Sequence, residues 1–305
     1  MKRAPLFILG APRSGTTLLA SLFKDSPYGA PIETRFITKY YKMLWKYGDL
    51  ENKSNFNCLI SDIINERYVQ QWNVDYDIDE VWMNCPNKTY SEICDYLISK
   101  RFKNIGKDKW GDKTPPYTFD LDVLKELFPQ ALYIYIVRDG RDVALSLLKQ
   151  NWGPNNVLCC AEYWNRSNNI DSQIEDLKKS DRLYEIKYEE LLSEPRLHIK
   201  RLYEFISFDY EESYVSKIIE KLNTDNIYNW KREMRERDVK VFQCVSGVNL
   251  QKFNYQIIDT KFSITPLEKT FWQIHNKGLR FFELIRLNTI EWFKIKYLGK
   301  EPFGE

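Results

Sequence analysis

A chain of 305 residues, 43% hydrophobic and 29% charged, can bury a sizeable core and reads as a folded globular protein rather than a disordered one. Its formal net charge of +2 is too small to argue for a nucleic-acid partner. No apolar run approaches the roughly 18 residues that a membrane-spanning helix needs.

The first element is an apolar run, Leu6-Phe7-Ile8-Leu9, that reads as a buried strand. Gly10-Ala11-Pro12-Arg13-Ser14-Gly15-Thr16-Thr17 follows and opens an apolar-periodic helix over residues 18–24, which Asp25-Ser26-Pro27 stops. Strand, glycine loop and helix in that order form an anion-binding arrangement, because N–H groups and the positive helix end face the loop. The Gly10-x4-Gly15 spacing is that of a Walker A loop, but Thr16 and Thr17 stand where that motif has Lys and Ser or Thr. Without the lysine an ordinary ATP site is a poor reading. Arg13 supplies a cation instead, with a planar fork suited to phosphate or sulfate. The loop alone fits such a ligand and an ordinary strand-to-helix turn equally.

At residues 10–17 the chain resembles the 5′-phosphosulfate loop of sulfotransferases that use 3′-phosphoadenosine 5′-phosphosulfate (PAPS). Pro12-Arg13-Ser14-Gly15-Thr16-Thr17-Leu18 is similar to the membrane-type and tyrosylprotein branches of that family. The resemblance implies that Arg13, Ser14, Gly15, Thr16 and Thr17 hold the 5′-phosphosulfate, with the N–H groups of residues 14–17 contributing.

Residues 28–36 are expected to return to the sheet edge and end beside the loop. Taken alone, Glu33 reads first as a glutamate favoured by a helix start, and second as a carboxylate that takes a proton from an attacking hydroxyl. The resemblance favours the second. Glu33-Thr34-Arg35 matches the Glu-Thr-Arg of the tyrosylprotein branch, whose Glu is the proposed base, and Arg35 becomes a candidate acceptor contact. His198 and His275, the two histidines, lie far downstream in helical patterns and do not suit that role.

Residues 39–103 are polar and aromatic, with helix-like stretches at 56–68 and 90–102 and turns at 75–79 and 86–87. They read as a helical insertion that determines the acceptor or simply covers core. Lys109-Trp110-Gly111-Asp112-Lys113-Thr114-Pro115-Pro116 then suggests a short strand ending in a Pro-stiffened loop, where parallel sheets place ligands. Lys113 alone could be a surface lysine. Gly-Asp-Lys-Thr-Pro resembles the family's motif, which implies a lysine stabilising sulfuryl charge, with Pro115 a candidate acceptor contact.

Residues 131–137, Ala-Leu-Tyr-Ile-Tyr-Ile-Val, form the clearest strand. Arg138-Asp139-Gly140-Arg141-Asp142 ends it and opens a helix through residue 148. This resembles the family's 3′-phosphate site, which implies that Arg138 and Ser146 hold that phosphate; Asp139 reads as a helix cap. A loop and one long polar helix are expected over 152–179, then a strand over 183–188. Tyr188-Glu189-Glu190-Leu191-Leu192 with Pro195 also resembles the family. It makes Tyr188 a nucleotide contact, although a packed strand-end tyrosine would look the same. Asn229-Trp230-Lys231-Arg232-Glu233-Met234 resembles the late basic segment that closes over the nucleotide. Lys231 and Arg232 are thus candidate 3′-phosphate neighbours or a solvated charge run, on a helix running towards residue 255.

Residues 266–300 are helical by period, with Phe271, Ile274, Phe281, Phe282, Ile285, Trp292 and Phe293 on one stripe. From Lys269 to Lys300 there are seven Lys or Arg and two Glu. Such a helix packs on its own domain, pairs two copies, or lies on an anionic membrane surface.

The expectation is an α/β fold, a P-loop NTPase-like parallel sheet flanked by helices, with a helical insertion (39–103) in a domain over 1–265 and a C-terminal helical tail (266–305). The resemblance implies a PAPS-dependent sulfotransferase with a hydroxyl acceptor (small molecule, lipid or sterol, glycan, or tyrosine) and no metal. Glu33 would be the base, and Arg13 and Lys113 would stabilise charge. The alternatives are a nucleotide kinase with an altered P-loop and a catalytically silent nucleotide-binding relative. Six cysteines without metal-ligand spacing and a first strand beginning near residue 6, which leaves no room for a signal peptide, make the expected location cytoplasmic.

Overall fold

The computed structural model describes residues 4–258 and 261–286. In chain order the elements are β1 (Leu6–Leu9), α1 (Thr16–Leu22), α2 (Phe36–Tyr41), α3 (Lys53–Ile64), α4 (Arg67–Gln70), α5 (Ile78–Asn84), α6 (Tyr90–Lys103), β2 (Gly111–Asp112), α7 (Leu121–Leu127), β3 (Leu132–Val137) and α8 (Gly140–Leu147). They continue with α9 (Val157–Ser167), α10 (Asp171–Lys179), β4 (Leu183–Lys187), α11 (Tyr188–Ser193), α12 (Pro195–Phe205), α13 (Glu212–Ile219), α14 (Trp230–Glu233), α15 (Glu236–Lys252) and α16 (Pro266–Ile285). Short 3₁₀ turns occupy Leu44–Lys46 and Pro115–Asp120.

The four strands form one parallel sheet in the order β2-β1-β3-β4. β1 is buried at every residue and β3 at all but its first, the pattern of strands covered on both faces by crossover helices. Leu6 pairs with Leu132 and Leu9 with Tyr135, while Tyr133 pairs with Leu183. Phe7 anchors one face of the sheet, 5.6 Å from the rings of Trp110, Phe128 and Tyr133. Aromatic packing of this kind contributes about 0.5–1.5 kcal/mol per pair beyond area burial, and part of the chain's 15% aromatic content is thus core.

The chain divides into two compact units. One comprises Met1–Val137 and Ile170–Asp225 and holds the sheet; the other comprises Arg138–Asn169 and Asn226–Glu305. In the first unit the insertion is helical, but 56–68 is two helices, α3 and α4, with the break at Asn65 and Glu66. Where turns were expected at 75–79, the Asp77 carboxylate accepts N–H bonds from Asp79 and Glu80 and starts α5.

In the second unit, the long helix expected within 152–179 ends at Ser167. The Asn168 amide donates to the Trp164 carbonyl at 2.7 Å, a side-chain bond that competes with helix continuation. The helix restarts as α10, in the first unit. The helix expected from residue 229 towards 255 is also two, α14 and α15, separated by extended backbone at Met234 and Arg235. α16 begins at a Thr265 cap followed by Pro266. The expected continuation past residue 286, with Trp292 and Phe293, lies outside the described residues.

Candidate active site

The loop after β1 needs both of its glycines. Gly10 has φ 156°, and a Cβ there would lie 2.6 Å from the Ile136 carbonyl oxygen. Gly15 has φ 94°, and its Cβ would meet the Tyr188 ring at 2.3 Å. Only a residue without a side chain fits either position. The Ser14 N–H, expected among the anion donors, is instead bonded to the Ala11 carbonyl at 3.0 Å and closes the turn. α1 then starts with Gly15 at its N-cap and no side-chain cap, so its first-turn N–H groups face the loop. The Ser14 hydroxyl is buried without a hydrogen-bond partner among the described residues, a costly arrangement that a bound oxyanion would relieve. Thr16 is buried and Thr17 exposed. Arg13 is exposed with φ 71°, a left-handed backbone that costs a non-glycine residue on the order of 1–2 kcal/mol and that clusters at ligand sites.

Residues 28–36 do reach the sheet edge. Ile32 forms a parallel bridge to Asp112, its N–H bonds the Gly111 carbonyl at 3.2 Å, and the Lys113 N–H bonds the Ile32 carbonyl at 2.7 Å. That strap sets Glu33 beside Lys113. The Lys113 ammonium lies 2.6 Å from Glu33 Oε1, and Arg35 donates to Glu33 Oε2 from Nη2 at 2.7 Å and from Nε at 3.1 Å. Burial alone would raise the Glu33 pKa, but the hydrogen bonds and charges of Lys113 and Arg35 outweigh it and hold the carboxyl below its ordinary value. Arg35, also left-handed at φ 56°, stacks its guanidinium 4.2 Å over the Tyr68 ring of α4, so the insertion touches this cluster.

Asp112 was given no role by the sequence, yet it ties both partners down. Its Oδ2 accepts the Thr34 N–H at 3.0 Å and its Oδ1 the Thr114 N–H at 2.8 Å. One carboxylate therefore fixes the residue after Glu33 and the residue after Lys113. It is 1% exposed, and burial pushes its pKa up to about 7 against these hydrogen bonds. The Tyr117 hydroxyl accepts the Ile37 N–H at 3.1 Å and bonds the Thr34 hydroxyl at 2.8 Å, and Tyr90 donates to the Phe36 and Ile37 carbonyls. The segment carrying Glu33 is thus held from both sides. Pro115 is buried at the start of its 3₁₀ turn. The Tyr188 ring is buried against Gly15, so Tyr188 supports the loop directly.

In the second unit, Arg138 is nearly buried; its Nη2 donates to the Asn226 carbonyl at 3.0 Å and lies 3.5 Å from Asp142 Oδ2. Asp142 Oδ1 accepts the Trp230 N–H at 2.8 Å. Burial raises the Asp142 pKa, opposed by that N–H bond and by Arg138. Asp142 therefore links Arg138 to α14, where Lys231 and Arg232 follow Trp230. Both cations are exposed; Lys231 lies 5.1 Å from the Tyr228 ring and Arg232 donates to Asn229 Oδ1 at 2.6 Å. Ser146 is half-buried two turns into α8. Asp139 caps that helix by accepting the Arg141 N–H at 3.0 Å and pairs with the fully buried Arg141 guanidinium at 2.7 Å, a structural role. His198 is buried on α12 and His275 is exposed on α16. Among the described residues no helix is long and apolar enough to cross a membrane.

A parallel sheet with a glycine loop after its first strand and charged groups on the following strand ends defines a P-loop-like α/β fold. The chain belongs to the sulfotransferase family, whose model matches residues 5–212. Among its relatives, protein-tyrosine sulfotransferase A of Caenorhabditis elegans is 26% identical over 224 residues, which is 68% of this chain and 50% of that protein. The nodulation protein NoeE of Sinorhizobium fredii is 30% identical over 166 residues, 51% of this chain and 36% of that protein. The chain thus spans half or less of the length of these two relatives. The sulfotransferase domain of the Synechococcus PCC 7002 olefin synthase has the same fold, with a TM-score of 0.54 at 18% identity over 85% of this chain and 98% of that domain.

Proposed function

We propose that this protein transfers a sulfuryl group from PAPS to an acceptor hydroxyl. The observation that carries this reading is the Glu33–Lys113 pair at 2.6 Å, strapped to β2 next to a strand whose loop presents Arg13 and lacks the Walker lysine. Family membership, the orphaned Ser14 hydroxyl and the uncapped start of α1 support it. Arg13, Gly15, Thr16 and Thr17, with the Ser14 hydroxyl, hold the 5′-phosphosulfate. Arg138 and Ser146 take the 3′-phosphate, with Lys231 and Arg232 as its further cations.

In this mechanism the acceptor oxygen attacks sulfur and its proton passes to Glu33. The bond between sulfur and the bridging oxygen of the 5′-phosphate breaks, and the electron pair leaves with adenosine 3′,5′-bisphosphate. Lys113 and Arg13 neutralise the charge that develops on the sulfonate and the leaving oxygen. Their cations do the work a metal does in phosphoryl transfer, so no metal enters the reaction as written. Paired with Lys113, Glu33 is ionised and a weak base. As Lys113 turns to the sulfuryl group the pairing loosens, and Glu33 gains basicity when the proton must move. Asp112 acts as a positioning residue for this pair.

The transferase domain is assigned to residues 1–265, with 39–103 on the acceptor side, in a cytoplasmic enzyme. The C. elegans relative named a protein-tyrosine sulfotransferase and the Arg35–Tyr68 contact favour a ring-bearing hydroxyl as acceptor. Incubation with radiolabelled PAPS and a panel of phenols, sterols, sugars and Tyr peptides tests the reading. Label on at least one hydroxyl compound is expected. Phosphoryl transfer from Mg²⁺-ATP, with none from PAPS, would instead identify a kinase with an altered loop.

A further inference from the structure

α16 packs along its polar side against α9 and the turn before it. Asn276 Oδ1 accepts the Asn155 N–H at 2.9 Å, the Trp272 carbonyl accepts from Asn156 at 3.1 Å, and Gln273 donates to Glu162 at 2.7 Å. At 100° per residue, Lys269, Gln273, Asn276, Lys277 and Arg280 share an arc of about 100° on that side. On α9, Cys159, Glu162, Tyr163 and Arg166 recur at the spacing of a single helix face. Both sets line one cavity of about 600 Å³, which lies wholly within the second unit. Sites for single small molecules run from about 300 to 1,000 Å³.

The charge of this cavity is one-sided. Lys269, Lys277 and Arg280 line it from α16 and Arg166 from α9, against a single carboxylate, Glu162. That carboxylate is already engaged, since its Oε1 accepts from Gln273 and lies 3.4 Å from Lys269. Among the described residues, Lys277 and Arg280 have no carboxylate partner. Arg166 lies 5.7 Å from the centre of the Tyr163 ring. Burial raises the Tyr163 pKa, and the charges of Arg166 and Arg280 oppose it, so cations from both helices act on one hydroxyl. Like charges gathered in a cleft repel one another and raise the local concentration of anions. A single monovalent ion satisfies part of such a set. A ligand with several anionic groups satisfies it throughout, and the two guanidinium forks suit phosphate or sulfate oxygens.

We propose that the cavity between α9 and α16 binds a small soluble polyanion, a molecule carrying two or more phosphate or sulfate groups. It shares no residue with the positions assigned to PAPS, so the inference is independent of the transferase reading. The full chain and its Arg138→Ala variant are titrated by calorimetry with inorganic tripolyphosphate, without metal; the variant keeps binding at the nucleotide site from masking the cavity. Saturable binding is expected in both, at least about tenfold tighter than for inorganic phosphate, and weakening as salt rises from about 0.05 to 0.5 M. Arg166→Gln with Arg280→Gln should weaken it by about tenfold or more in either background. Lys277→Gln, at an exposed position, should weaken it by about threefold with the melting temperature unchanged, which separates lost binding from lost folding. Absence of tripolyphosphate binding would overturn the proposal. So would binding that Arg138→Ala abolishes and the cavity substitutions leave as it was.

Discussion

Glu33 stands between Lys113 and Arg35, and this arrangement fixes the sign of its pH behaviour. Its carboxyl titrates below the ordinary glutamate range in the folded protein. The stabilisation from this pairing is therefore present above the unfolded pKa and is lost as pH falls through the lower folded value. For the same reason the acid limb of kcat/KM should lie below the ordinary glutamate range in the unaltered protein. Lys113→Ala removes the first partner and should move that limb to higher pH while lowering turnover by about 100- to 1000-fold. A limb that stays in place would remove Glu33 as the titrating base. Glu33→Gln should lose turnover by a similar factor and keep its affinity for adenosine 3′,5′-bisphosphate; full activity would take Glu33 out of the mechanism.

Asp112 has the opposite sign. Its folded pKa, near 7, lies above the unfolded value, so the neutral form adds stability at low pH that is lost as pH rises through about 7. Asp112→Asn exchanges an acceptor oxygen for a donor facing an N–H, which costs roughly 1–3 kcal/mol. The resulting Tm deficit should shrink between pH 5 and 8, because only the unaltered protein then carries a buried charge. The same variant should lower kcat more than it weakens nucleotide binding, a split that a merely structural carboxylate would not produce. The sequence made Glu33 and Lys113 visible through short motifs. Asp112 sits in one of those motifs, but nothing in its spacing says that its two oxygens serve two different segments, one of them 78 positions away.

At the level of elements, the loop was legible because glycine spacing is a backbone requirement. Gly10 closes on Ile136 and Gly15 on Tyr188, contacts that leave no room for a Cβ. Gly15→Ala combines that clash with a strained φ, and it should weaken nucleotide binding by at least about tenfold for a backbone penalty near 1–2 kcal/mol. Unchanged affinity by calorimetry would contradict the placement of the phosphosulfate on this loop. Strand β3 was equally legible from its apolar, β-branched run. Helix interruptions were not. Asn168 ends α9 by turning its amide back on Trp164, and Asn65 sits between α3 and α4 within an unbroken polar-aromatic pattern. Periodicity carries no mark of a side chain that chooses a backbone partner.

On the scale of the molecule, the parallel sheet explains why distant motifs belong together. Gly10 follows β1, Lys113 follows β2, Arg138 follows β3, and Tyr188 follows β4. Gly10, Lys113 and Tyr188 thus leave the carboxyl ends of parallel strands within the first unit, where such sheets bind ligands. The strand order itself was hidden, because β2 is two residues long and gives no hydrophobic signal of its own. The central claim of the proposed function is that the protein binds a 3′-phosphorylated adenosine nucleotide rather than ATP. Calorimetry of the full chain with adenosine 3′,5′-bisphosphate, without metal, tests it most directly. The prediction is saturable binding that Arg138→Ala weakens strongly and that Mg²⁺-ATP does not match. No binding of the bisphosphate, or tighter binding of Mg²⁺-ATP, would contradict it.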